Sequence, residues 1–112
     1  MSRSVEQRPV TGGEGDPGVA QEDPRVAELR TAVSRLRREL AAHPAELPDR
    51  GVAEDELAAL AAMAGGGLPE TPRLRRSLLL VAGSIGSVSA LAAGLAAVRG
   101  AIELFGEPPP HR

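Results

Sequence analysis

The chain has 112 residues, a formal net charge of −2 and no cysteine. That length holds one domain at most. The missing cysteines exclude disulfides, thiolate metal sites and cysteine nucleophiles, and the near-neutral charge argues against non-specific nucleic-acid binding, which needs a basic surface. Phe105 is the one aromatic residue, so a core must be built from Leu, Val, Ile and Ala. Such a composition favours helix over sheet.

Residues 1–22 are rich in Gly, Pro, Ser, Gln and Glu and carry no large apolar residue besides isolated valines. They cannot bury enough surface to offset chain entropy, so a disordered tail is expected. The run GGEGDPG from Gly12 to Gly18 has no preceding strand and no following Lys-Ser or Lys-Thr, which makes it a flexible segment rather than a phosphate loop. The opening MSRSVEQRPVTGG has no apolar run of the kind a signal peptide carries, and the cytoplasm is expected.

Asp23-Pro24 reads as a helix start, with a capping carboxylate and a proline at the first helical position. Val26, Leu29, Val33, Leu36 and Leu40 follow at spacings of 3, 4, 3 and 4, a heptad seam on a helix over 24–42. Pro44 ends it by disfavouring α geometry at His43. A second helix is expected over 52–64, with Glu54, Asp55 and Glu56 at its positive end. Its apolar face holds Ala53, Leu57, Leu60, Ala61 and Ala64. Residues 65–67, all glycine, stop it. Thr71-Pro72 repeats the start signal, and helical pattern then runs over 72–105. Gly83, Ser84, Gly86 and Ser87 predict a kink or a division into two helices near 83–87. Residues 107–112, with three prolines, form a second tail.

Within that last segment, the 22 residues 77–98 carry no charge, between Arg73, Arg75 and Arg76 on one side and Arg99 on the other. Length and flanking arginines fit a membrane span. Periodicity points elsewhere. Leu74, Val81, Val88, Leu95 and Ile102 are each seven apart, with Leu78, Ile85 and Ala92 beside them. This column begins among the arginines and continues past Arg99, where a lipid boundary would interrupt it, and its period matches that of the first helix.

Chemistry-bearing residues are sparse. His43 and His111 have no second ligand at metal-binding spacing. The carboxylates Glu54, Asp55 and Glu56 are better explained as helix-start residues than as an acid–base site, and no serine has a His and acid partner pattern. The arginines at 35, 37 and 38 and at 73, 75 and 76 lack stacking aromatics or a reader motif and read as solvated flanks pairing with Glu28, Glu39 and Glu70.

The succession VAELRTAVSRLRREL, a Pro/Gly connector, EDELAALAAMA, then PRLRRSLLLVAGSIGSVSALAAGLAAVRGAIELFG resembles a small actinobacterial-type family of uncharacterised helical proteins, a domain of unknown function. The likeness covers 23–106, with the last segment its most specific part. The same order is similar to C-terminal helical segments of bacterial effector and conflict-system proteins. The resemblance implies a soluble helical protein with no assigned activity, and it transfers no catalytic residue.

The sequence therefore predicts an all-α bundle of three to four helices, with a long, kinked or divided C-terminal segment and a disordered N-terminal tail. A bundle of about 85 residues has a thin core, so its apolar seam is expected to act in helix–helix association. The seam residues are Val26, Leu29, Val33, Leu36, Leu40, Leu74, Leu78, Val81, Ile85, Val88, Leu95 and Ile102. The expected partner is a second copy or another helical protein, with no nucleic acid, small-molecule substrate, cofactor, metal or catalysis. The alternative is a single-pass inner-membrane protein with its span at 77–98.

Overall fold

A computed structural model describes residues 23–106. The two expected tails, 1–22 and 107–112, lie outside the described residues. Helix α1 spans Pro24–Ala42. Asp23 caps it by accepting the backbone N–H of Arg25 at 2.8 Å, satisfying one of the orphan donors of a helix start. The 3-4-3-4 spacing turns Val26, Leu29, Val33, Leu36 and Leu40 to one buried face. The helix ends where His43 goes extended (φ −71, ψ 123) ahead of Pro44.

Helix α2 spans Arg50–Gly65 and begins two residues before the expected 52. The cause is long-range. The Arg50 guanidinium donates to the carbonyl oxygens of Leu40, His43 and Ala45, close to the end of α1, where helix carbonyls lack intrahelical donors. One side chain thus closes α1 and sets the first turn of α2. The earlier start moves Glu54, Asp55 and Glu56 beyond the first turn, which holds no acidic residue, so the helix dipole accounts for them less well than expected.

The connector 66–70 turns at Gly67, whose φ of 106° is a left-handed conformation open to glycine at little steric cost. Helix α3 then spans Thr71–Ile85 with Glu70 as its cap residue. Thr71 was expected to cap with its hydroxyl. Instead it begins the helix and its Oγ1 reaches the Phe105 carbonyl oxygen, 3.4 Å away.

The segment expected over 72–105 is two helices. Gly86 remains in αR geometry (φ −65, ψ −21). Val88 is extended (φ −89, ψ 104), and a single 3₁₀ turn, Ser89–Leu91, leads into α4, Ala92–Gly106. The chain folds back on itself, bringing Thr71 to Phe105 and Arg75 against Gly106.

The four helices form a cycle in which α1 packs on α2 and α4, and α3 packs on α2 and α4. Between them lies one core, with fully buried Leu29, Leu36, Leu57, Leu60, Leu74, Ile85, Val98 and Ile102. No strand occurs among the described residues.

Candidate interaction surface

The structure brings the predicted seam together inside one chain. Val26, Leu29, Val33, Leu36, Leu40, Leu74, Val81, Ile85, Leu95 and Ile102 are buried, and Leu78 and Val88 are half-buried against them. Ala92, expected beside Leu78 and Ile85, is exposed, because the break at 86–88 reorients the helix after it. Leu91, Val98 and Ala101 occupy the core in that half. They escaped a strict seven-residue count. A 3-4 spacing started at Leu91 finds Leu95, Val98 and Ile102 directly.

The outside of the α3–α4 hairpin leaves apolar side chains exposed, besides Leu68 on the connector and Val52 on α2. Leu79 is 72% exposed and Leu80 40%. Gly83, Gly86, Ser87, Ala90, Ala92, Ala93 and Ala96 are exposed as well. Arg76, Leu79 and Gly83 recur at helical spacing and share one face of α3, as Ala92, Ala96, Arg99 and Glu103 do on α4. The uncharged area is bordered by exposed Arg73, Arg75, Arg76 and Arg99. A Cβ built at Gly83 or Gly100 meets nothing within 4 Å, so crowding within the chain does not call for either glycine.

Polar contacts between helices are few and specific. Buried Ser77 on α3 donates from Oγ to Glu56 Oε1 on α2 at 2.9 Å. On α1, Arg35 donates from Nε to Glu39 Oε2 at 3.0 Å. The other oxygen of that carboxylate, Oε1, is buried without a hydrogen-bond partner. It lies where a side chain at Gly94 would stand, beside Leu36, so Gly94 lets α4 approach α1 closely. At the opposite end of the bundle, Arg25 stacks 4.9 Å above the Phe105 ring and grips Asp23 at 2.7 Å. The hydrogen bonds from Arg25 hold the Asp23 carboxyl below the usual carboxylate range.

Chemically the surface offers packing. His43 sits half-buried at the end of α1, and His111 lies outside the described residues. No group of three or more His, Cys, Asp or Glu is placed to hold a metal among the described residues. A cleft of about 270 Å³ between α1 and α2 has Leu40 and Leu57 at its base, with Arg37 and Glu54 at its rims.

No curated protein and no solved structure matches the chain. One family model does match, over residues 18–106 and therefore across all four helices, and the chain belongs to that family, DUF5955, a family of unknown function.

Proposed function

We propose that this protein is a helical association module of the cytoplasm, without catalytic activity, whose partner is a second copy of the same chain. The observation that carries this reading is the uncharged outer face of the α3–α4 hairpin, with Leu79 at 72% exposure. The heptad seams are already used inside one chain, and of the apolar side chains left exposed Leu79 and Leu80 stand together on this face, while Leu68 and Val52 stand apart on the 66–70 connector and α2. A patch that meets itself across a two-fold axis brings equivalent residues together, and the uncharged centre of this face does so without repulsion, with Arg76, Arg99 and Glu103 at its border. Covering a leucine side chain contributes roughly 1.5–3 kcal/mol.

The test is the mass in solution. Light scattering is expected to give twice the 11.5 kDa of the chain, and a clean monomer at high concentration would refute the reading. Leu79→Glu is expected to lower the mass to that of one chain while leaving the melting temperature nearly unchanged, since the side chain is exposed in the single bundle.

A second reading, membrane association, is favoured by one observation. Ser89–Gly106 is long and apolar enough to cross a membrane, and only a third of it is buried in the bundle. The span expected at 77–98 instead crosses the break at 86–88. Recovery of the protein only in the membrane pellet, without detergent, would favour this reading over the first.

A further inference from the structure

We propose that two copies associate by exchanging α4. The segment 86–88 straightens, α3 and α4 become one helix, and α4 packs between α1 and α3 of the second chain as it now packs in its own. This rests on the self-association reading and adds the route to it.

Three observations carry the exchange. First, the break is short. Gly86 is still in αR geometry, Val88 is extended, and the 3₁₀ turn Ser89–Leu91 follows directly. Rotation about very few bonds would restore a continuous helix, and 3₁₀ turns within helical segments often mark hinges. Second, the core column crosses the break without changing phase: Leu74 and Val81 before it, Val88 on it, Leu95 and Ile102 after it, all seven apart. The side chains buried in the folded-back form would therefore still lie along one seam in the straightened form. Third, a contact that exchange must open and re-form between chains is not fully satisfied, which eases its opening without favouring either form. Where α4 meets α1, Glu39 Oε1 is buried without a partner. Short hinges between such elements are the usual setting of exchange.

The exchanged pair also brings the two hinges side by side. The outward residues there are Gly83, Gly86, Ser87 and Ala90, small enough for helices to pass closely.

Gly86 supplies the lever. In the folded-back form a Cβ at this position would collide with the Ala82 carbonyl oxygen. In a straight helix alanine is favoured over glycine by about fivefold per site. Gly86→Ala combined with Ser87→Ala favours the straightened hinge about tenfold per chain, and with two such hinges in each dimer is expected to raise the association constant about a hundredfold. Inserting Gly-Ser-Gly after Ser87 breaks the phase and relaxes the hinge, and is expected to return the chain to monomer.

The geometry is read with nitroxide labels on Arg73→Cys and Glu103→Cys, exposed positions outside the uncharged face, which are unique because the chain has no cysteine. Labelled chains are co-refolded with an excess of unlabelled chains so that the distance is intrachain. Exchange predicts about 45 Å along one helix, against about 10 Å between neighbouring helices of a hairpin. A dimer with the short distance would overturn the exchange and leave self-association standing. A dimer fraction unmoved by the insertion would overturn it as well. Monomers throughout, in the unsubstituted chain and the double variant, would overturn both.

Discussion

The two hairpins, α1–α2 and α3–α4, both supply fully buried leucines and valines or isoleucines to the one core, yet they are finished differently on the outside and at the joint. The outer surface of α1–α2 carries Glu28, Arg30, Arg35, Arg37, Arg38, Glu54 and Asp55. That of α3–α4 carries no charge over 77–98. The α1–α2 joint contains two prolines and is held by three guanidinium–carbonyl bonds from Arg50. The α3–α4 joint is a few residues spanned by backbone bonds, Gly86 to Ala82 at 2.8 Å, Val88 to Ile85 at 3.0 Å and Leu91 to Val88 at 3.0 Å, with Ile85 and Leu91 buried in the core. One hairpin is fastened and solvated. The other turns back within a few residues and leaves Leu79 and Leu80 exposed, the feature on which the proposed association rests.

The largest expected effects ask whether the hairpins are one folding unit. Leu29→Ala on α1 and Leu74→Ala on α3 remove side chains with no exposure. Each is expected to cost about 2–5 kcal/mol and to shift a single thermal transition. Two separate transitions by circular dichroism would show that the hairpins melt independently. A smaller effect sharpens the contrast between the joints. Arg50→Ala strips the carbonyls of His43 and Ala45 of the guanidinium donor and leaves Leu40 with the His43 N–H alone, and is expected to cost about 1–3 kcal/mol in urea unfolding. Arg50→Lys should recover little, because an ammonium cannot present the same fork. Unchanged stability in both variants would mean that the prolines hold this joint unaided. The smallest effect concerns pH. Asp23 titrates lower in the folded chain than in the unfolded one, because Arg25 bonds its ionised form. Its contribution is therefore complete above the usual carboxylate range and declines as pH falls through and below that range. In Asp23→Asn this part of the acid-side loss should vanish; an identical pH profile would count against the pairing.

The all-helical fold was legible because its signals are local. The 3-4 spacing from Val26 to Leu40 needs no knowledge of the partner helix, and Pro24, Pro44 and Gly67 act on their own backbone. What could not be read depends on contacts distant in sequence. The start of α2 at Arg50 is tied to carbonyls at and just beyond the end of α1, and the hydroxyl of Thr71 is taken by Phe105. Glycine and serine at 83–87 marked a weak point, but the unbroken seven-residue column fits a straight helix as well as a folded one. Only the packing of α4 on α1 decides between them. On the outer face, spacing separates the consecutive leucines, with Leu78 in the seam and Leu79 and Leu80 outside it, but it gives no sign of how far each is exposed.

The stacking of Arg25 on Phe105 has a consequence for topology. It joins the residue just after the bundle's entry point to the one just before its exit, so both lie at a single pole, away from the joints at 43–49 and 86–88. A short bridge from Phe105 to Asp23 with new ends opened in the α1–α2 connector should yield a folding circular permutant. Any domain fused at either boundary would likewise be tethered at this pole, leaving the opposite one unobstructed.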